Sequence, residues 1–574
     1  MTSTDQLACS AKATTAPSFA AIRCRILADE SLSEERRREM ASALSTLAKA
    51  LSKPAEMIPA DALALRALMK GRTAAMVGLK TGRWQNVLSL VGAALGHCRI
   101  IVVQGRIREA PAPAWMTVLG LLPKNAGLRF NLSRFARYCT LIQVMPDAVS
   151  DAVLARYETD LTERSLAVEP QRSARDVARL WNKVADANAT WPQQRLSVPD
   201  NRNHYSPDWE TYPQSLVRDA NAWCEGLGES DPFADRPFRP LKATSVTSRH
   251  KLLKLYLGAL VLEGVDPATM VDLASVVTPA RARMALKFFW NRADKKVTTY
   301  VHGISHMVLM IARHWAHLPE VDLKCLYAMN KQLRPTVSGM TQDNVALLRQ
   351  FDDPKKQQAL LELPATLLAG AKMLGQQTVQ AALLAQTAAI IELLLHIPMR
   401  IKNLCNLRIG THVIRGPQGA MHIALPAAEV KNEVAINATL GRETARLIGE
   451  YIDRYRPLLT KGEDDYLWPG QRAGTPKTDV GLRTQIQDVV ADRVGARINP
   501  HTFRHLAAYM MLGHDPGCHG AVQRVLGHKS YHSTKTFYSG LETPAALAGY
   551  DDLIARQRGD ARPVEKPRRR RGFR

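Results

Sequence analysis

The chain is 574 residues long, with 77 Lys and Arg against 53 Asp and Glu, a formal net charge of +24. A positive excess of this size points to a polyanionic partner bound in a salt-dependent way, although charge alone does not separate DNA from RNA. Hydrophobic residues make up 46%, ample for packed cores and against a disordered chain, and the length corresponds to about three to four domains.

The opening residues, MTSTDQLACSAKATT, hold no basic stretch followed by an apolar core. No secretory signal is expected, and residues 1–17 are read as disordered. Helical periodicity then dominates. Residues 18–105, with SLSEERRREMASALSTLAKAL, DALALRALMKG and GRWQNVLSLVGAALG, form an N-terminal helical domain. Residues 106–188 add NAGLRFNLSRFARYC and SARDVARLWNKVADA as a second helical region. Both stretches show a basic helix, a Leu-rich helix and a short turn, as divergent copies of one module would. EERRREM and GRTAAMVGLKTGRW suit contact with DNA or a protein partner, and basic helices of this kind are also common on solvated faces.

Residues 189–245 are rich in Pro, Asp and Asn and read as a linker or surface-wrapping insertion, with one helix near SLVRDANAWCEGL. Helices return over 246–335 in TSRHKLLKLYLGALVLEGV, PARARMALKFFWNRA and TYVHGISHMVLMIARHWAHL. Residues 336–558 combine helices with two runs of strand character, MHIAL and VAIN. The fold class is therefore mainly α with a small β-sheet. The apolar run VQAALLAQTAAIIELLL includes polar residues and reads as a buried helix rather than a membrane span. The tail, 559–574, ends in KPRRRRGFR, a dense positive run suited to phosphate backbone.

The eight cysteines form no C-x-x-C and fit reduced thiols in a cytosolic protein. His514, Cys518 and His519 lie close together, but GHDPGCHG reads as a turn with no second ligand pair, so no metal site is expected. Trp84, Trp181 and Trp290 sit in apolar helical contexts and are read as core residues.

Between Arg400 and Tyr538 the chain carries side chains suited to phosphodiester chemistry. They are Arg400 in PMRIKNL, Lys431 in EVKNE, His501 and Arg504 in HTFRH, His528 in LGHKS, and Tyr538 in TKTFYSG. Guanidinium groups fork onto non-bridging oxygens, a phenol serves as a covalent nucleophile, and Lys and His move protons. Asn499 and Pro500 suit a helix start. His501 and Arg504 then share a face of the first turn, with Phe503, Ala507 and Met510 on the buried side. Pro398 can open a helix under Arg400, with Leu404 and Leu407 as its apolar face. His528 follows a Leu-Gly turn, and Lys431 lies on or near a hairpin. Taken singly, each of these is an ordinary surface or packing residue.

The order R-I-x-x-L-x-x-L, hairpin Lys, H-x-x-R-H, L-G-H, Tyr resembles the tyrosine recombinase family of phage integrases, over roughly residues 340–550. The family usually has Thr-Gly-Leu before the first Arg, where this chain has Ile397-Pro398-Met399, and often an acidic residue where this chain has Asn403. Lys402 and Lys461 are alternatives to Lys431 by residue type, and Tyr531 is a rival nucleophile. The resemblance implies that Tyr538 forms a 3′-phosphotyrosyl link and that Arg400 and Arg504 stabilise the transition state. Lys431 would protonate the leaving 5′-oxygen, with His501 and His528 assisting.

The same resemblance implies a SAM-like core-binding domain at 246–335, a catalytic α+β domain at 336–558, and a C-shaped clamp. The expected partners are double-stranded DNA with recombination sites, a homotetramer in the synapse and accessory recombination proteins, with no membrane. Leu547, Tyr550, Leu553 and Ile554 recur at helical spacing after Tyr538, as in a segment that docks on a neighbouring copy or on its own domain. No cofactor is implied, and no G-x-x-x-x-G-K-[ST] loop is present. The expected setting is the bacterial cytoplasm, on the nucleoid, and the expected role is integration or excision of a mobile element. A type IB topoisomerase, a hairpin-forming resolvase and a non-catalytic DNA-binding relative are the alternatives.

Overall fold

The structure is a computed structural model describing residues 16–101, 110–122, 126–200, 206–229, 240–336, 339–375 and 377–558. The KPRRRRGFR tail and most of the 1–17 segment lie outside the described residues. The chain divides into two compact units, Met1–Pro199 with Gly339–Arg574, and Asp200–Ser338.

The first unit begins with α1 (Phe19–Ala28), α2 (Glu34–Ala50), α3 (Ala62–Met69) and α4 (Thr81–His97). Ser18, Ser33 and Asp61 cap α1 to α3, each accepting a bond from a first-turn amide. Phe19, Leu44, Leu47, Leu65, Val87 and Val91 close their core. A second cluster forms from α5 (Pro113–Gly120), α6 (Ala126–Leu141), α7 (Asp151–Glu163) and α8 (Pro170–Ala187). Its centre is aromatic: Trp115, Phe135 and Trp181 meet edge to face, the arrangement the ring quadrupole favours. Trp191 and Leu196, from the Pro-rich stretch, complete this core, and Trp181 Nε1 donates to Gln194 O at 3.0 Å. That part of the stretch wraps and packs.

The second unit contains α9 (Gln214–Gly228), α10 (Ala243–Leu262), α11 (Leu273–Val276), α12 (Pro279–Arg292), α13 (Thr299–His314) and α14 (Glu320–Gln332). Leu216, Trp223, Leu253, Leu257, Phe289 and Ile304 share one core. The helix expected near SLVRDANAWCEGL is α9, and its apolar face belongs to this core. Trp84 and Trp181 are buried as expected. Trp290 is only partly so, because its neighbour Phe289 takes the inner face of α12.

The remainder of the first unit holds α15 (Gln342–Arg349), α16 (Pro354–Met373), α17 (Val379–His396) and α18 (Ile401–Cys405). A three-stranded antiparallel sheet follows, in the order β1 (Val413–Arg415), β2 (Met421–Leu425), β3 (Ile436–Thr439). Next come α19 (Arg442–Glu450), α20 (Asp479–Arg493), α21 (Thr502–His514), α22 (His519–Leu526), α23 (Tyr531–Tyr538) and α24 (Thr543–Gln557). β2 is the run MHIAL, with Met421, Ile423 and Leu425 buried in alternation. β3 begins in the second half of VAIN. The helix α17 is long and apolar enough to cross a membrane, but 61% of it is buried inside this domain. Its buried Gln386 and Thr387 are hydrogen-bonded, to Tyr451 and the Leu383 carbonyl, as buried polar groups must be.

The N-terminal helices dock on this domain through residues 70–77. Thr73 Oγ1 donates to Ala491 O at 2.6 Å, and Arg497 Nη2 donates to Lys70 O at 3.1 Å and Gly71 O at 3.0 Å. Gly495 lies at φ +71°, and a Cβ there would stand 2.8 Å from the Ala75 carbonyl carbon. Glycine is required on both counts. The contact lies just before the segment that leads into α21.

Candidate active site

Most of the candidate side chains sit at a helix end or in the loop beside one. Arg400 is the N-cap residue of α18, with Leu404 and Leu407 fully buried. The HTFRH helix starts at Thr502, slightly later than the Pro500 start expected from sequence, so the N-cap position falls to His501. Asn499 Oδ1 accepts from the amides of His501 (2.9 Å) and Thr502 (3.1 Å) and organises that turn. Gly527 ends α22 in the left-handed region at φ +58°, which lets the chain reverse and present His528. Tyr538 is the last residue of α23, whose N-cap Ser530 accepts from the Ser533 amide.

Arg504 ties three of these pieces together. It is 3% exposed. Its Nη1 donates to Pro398 O at 2.6 Å and its Nη2 to Leu526 O at 2.5 Å, and Nη2 lies 3.3 Å from His528 Nε2. One guanidinium thus fixes the turn before Arg400 and the turn before His528, which its five rigid donors allow. Burial and, after it, the Arg400 charge pull its pKa down to about 10, so it stays charged.

The tautomer of His528 follows from its neighbour. Thr534 Oγ1 lies 3.0 Å from both Ser530 O and His528 Nδ1. A carbonyl only accepts, so the hydroxyl proton goes to Ser530, and His528 must donate from Nδ1. Its Nε2 is then an acceptor facing Arg504. Burial, then the charges of Arg504, Arg400 and His501, holds the His528 pKa down to about 4.

Tyr538 is 2% exposed. Its ring lies parallel to that of His528, with centroids 6.2 Å apart, and its hydroxyl is 3.2 Å from His505 Nδ1. Burial pushes the phenol up to about 12, against the opposing pull of Arg504 and Arg400. The rival Tyr531 opens the same helix and is 48% exposed. The two are about 10 Å apart along the helix axis.

His501 packs edge-on to His505 at 4.7 Å. It keeps an open edge to solvent, yet crowding of its imidazole by protein, then the charges of Arg504, Arg400 and Lys431, lowers its pKa. Lys431 is exposed on the β2–β3 connection. That connection is tethered to the His528 turn by Asn432 Nδ2 donating to Gly527 O at 3.1 Å, and by Lys529 paired with Glu433 at 2.7 Å. Lys461 is bonded instead to Gln471 O at 3.0 Å, and Lys402 lies within α18. Among the described residues neither Arg400 nor Lys431 makes a side-chain hydrogen bond or ion pair. Arg400 is half-buried, and that burial lowers its pKa.

The structure therefore brings Arg400, His501, Arg504, His528 and Tyr538 into one site, with the charge of Lys431 felt at His501. Two further residues of the site take no role from the sequence: His505, which closes the H-x-x-R-H motif, and Thr534, because their roles depend on contacts with Tyr538 and His528 made only in the fold. Among the described residues no group of three or more His, Cys, Asp and Glu is placed to hold a metal ion, and that includes His514, Cys518 and His519.

Residues 371–542 match the phage integrase family model. Solved structures with similarity include XerA recombinase, at 16% identity over 59% of this chain and 97% of that one, TM-score 0.24. XerH recombinase bound to a palindromic difH substrate in a post-cleavage complex gives 13% identity over 60% and 98%, TM-score 0.35. A lambda integrase dimer bound to a COC′ core site gives 12% over 66% and 89%, TM-score 0.34. No curated protein matches. The matched segment contains all six residues picked out by the motifs, Arg400 to Tyr538, so the chain carries a domain of the phage integrase family, the tyrosine-type site-specific DNA recombinases.

Proposed function

We propose that Tyr538 attacks a scissile phosphate in double-stranded DNA, forms a 3′-phosphotyrosyl link and releases a 5′-hydroxyl, which later reverses the step on a partner strand. The observation that carries this reading is a pair of cations, Arg400 and Lys431, unmatched among the described residues, beside a buried phenol and a third cation, Arg504, that is already fixed in place. A half-buried arginine without a carboxylate favours an anionic ligand. Arg400 meets the non-bridging oxygens, and the free donors of Arg504 add to the stabilisation where charge develops. Lys431, on an exposed loop, reaches the departing 5′-oxygen and gives it a proton. His501 supplies a further hydrogen bond on the same face. The bond energy stays in the phosphotyrosine, so resealing needs no nucleotide triphosphate.

Strand exchange requires four cleavages and each chain offers one Tyr538, so the working form is a tetramer on paired sites. Helix α24 supports this: Leu547, Tyr550 and Leu553 are 58%, 58% and 49% exposed along one helix, an apolar row suited to a neighbouring copy. The biological role that fits is integration or excision of a mobile element in the bacterial cytoplasm, with accessory proteins helping to choose the direction.

The test is a suicide substrate nicked near the cleavage point. Wild type and Tyr531→Phe are expected to trap a covalent protein–DNA adduct, and Tyr538→Phe to bind DNA without forming one. Loss in Tyr531→Phe with retention in Tyr538→Phe would overturn the assignment. Because none of the six groups needs a cation, cleavage is expected to continue in excess chelator. A loss restored by adding back a divalent ion would count against this mechanism.

A further inference from the structure

We propose that His505 is a catalytic residue that, as a neutral imidazole, donates from Nδ1 to the phenolic oxygen of Tyr538 and stabilises that oxygen as it attacks. The proposal rests on Tyr538 being the nucleophile.

His505 is 3% exposed on the inner face of α21. Its ring is held from three sides. Phe537 lies nearly parallel at 5.5 Å, His501 stands perpendicular at 4.7 Å, and Tyr538 meets it edge-on at 5.8 Å. Nδ1 is the atom 3.2 Å from the phenol oxygen, and Nε2 is buried with no hydrogen-bond partner among the described residues. That asymmetry identifies the tautomer. A proton on Nε2 would leave an N–H donor stripped of water with nothing to meet, and buried orphan donors are rare. A bare lone pair is the better-tolerated alternative so close to the Arg504 cation. One proton is all the ring carries at neutral pH. Burial, then the charges of His501 and Arg504 on its own helix turn and of His528 on the adjoining turn, pushes its pKa down to about 4.

A group so reluctant to accept a proton is a poor base. It can still donate a hydrogen bond. With Nδ1–H aimed at the phenol oxygen, the phenolic proton points away from His505, into the space shared with Arg400 and Arg504. In the step itself the bond from Tyr538 Oη to phosphorus forms and the bond from phosphorus to the 5′-oxygen breaks. The phenolic proton passes to water through the open side of the site and Lys431 gives one to the departing oxygen, so the proton count balances and His505 neither gains nor loses a proton. Its donated bond opposes the burial that pushes the phenol up to about 12, in the same direction as the two arginines.

Single-turnover cleavage of the nicked substrate would be compared across pH for wild type, His505→Asn, His505→Leu and Tyr538→Phe, alongside DNA affinity and thermal melts. In parallel, nitrogen-15 spectra of labelled histidine would report which ring nitrogen of His505 is protonated. The expected results are protonation at Nδ1 and a roughly hundredfold loss of rate in His505→Leu, as for removal of one preorganised donor. Affinity is expected to hold, and His505→Asn, which keeps a short N–H donor, to recover most of the rate. His505→Leu should also need a higher pH to reach its plateau. Protonation at Nε2, wild-type rates in folded His505→Leu, or His505→Asn as slow as His505→Leu would each overturn the proposal. If His505→Leu fails to fold, the tautomer and the asparagine variant still decide. An adduct that survives in Tyr538→Phe would sink the nucleophile assignment itself, a separate result.

Discussion

The two walls of the site are built on different principles. One wall comes from α21, the turn after α22, and α23. There Arg504, His505, Thr534 and Tyr538 are all at or below 3% exposure and are bonded to backbone carbonyls or to one another. The other wall comes from α18 and the β2–β3 connection. There Arg400 is half-buried, Lys431 is exposed, and neither has a partner among the described residues. The first wall is already set in the fold, so on the proposed mechanism its donors need no reorganisation when charge develops. The second keeps its cations uncommitted, which on the proposed mechanism leaves them for the phosphate and the leaving oxygen.

The hardest test of this contrast is to truncate one arginine from each wall. Both Arg400→Ala and Arg504→Ala are expected to lose cleavage by a hundredfold or more, on the order expected for a preorganised donor. Stability should separate them. Arg504→Ala strands the carbonyls of Pro398 and Leu526 and is expected to cost about 1–3 kcal/mol for each group left unsatisfied. Arg400→Ala should lie within about 0.5 kcal/mol of wild type, as for substitutions that break no internal bond. Urea unfolding measures both. Equal destabilisation would erase the distinction between the walls.

Lys431→Ala probes the second wall alone. Loss of a general acid typically removes about a hundredfold to ten-thousandfold in rate, with little change in affinity. A substrate whose leaving oxygen is replaced by sulfur needs no such proton and should restore cleavage. If it does not, Lys431 is a phosphate contact.

Acid probes the first wall. The His505 and His528 pKa values are lowered in the fold from 6.5 to about 4. Between these values the unfolded chain binds protons that the native state refuses, so stability should fall as pH drops from 6.5 towards 4. Asn at both positions should flatten that slope. An unchanged slope would mean that these imidazoles do not resist protonation. The smallest effect expected is for Gly527→Ala. Its φ of +58° puts an L-residue in the left-handed region, while the new Cβ would meet Val434 at an ordinary 3.9 Å. A loss of about 1–2 kcal/mol is expected from backbone strain alone, readable as a shift in the thermal midpoint.

Much of this site is legible in the sequence because its parts are local. HTFRH puts an arginine and a histidine on one turn, and Leu526-Gly527 announces the reversal before His528. MHIAL alternates as a half-buried strand should. The strand Val413–Arg415 carries no such signal, since three residues are too few for a period to show. The inner face of α21 differs in part from its expected pattern: Phe503 is buried, but Ala507 and Met510 are only partly so, and His505 and Leu506 take the interior instead. A histidine carries no apolar signal, and its partner Tyr538 lies 33 residues away. The carbonyl ties of Arg504 span 106 and 22 residues and are equally silent in the sequence. Pattern finds helices and motifs. It does not find which buried groups satisfy one another across the fold.

The identity of the nucleophile matters most, and one peptide map reads it directly. Trypsin digestion of the trapped adduct should cut after Lys529, Lys535 and Arg556, which separates Tyr531 from Tyr538. Fragmentation is expected to place the phosphodeoxynucleotide on Tyr538, within the peptide TFYSGLETPAALAGYDDLIAR. A modified SYHSTK peptide carrying the mass on Tyr531 would refute the assignment.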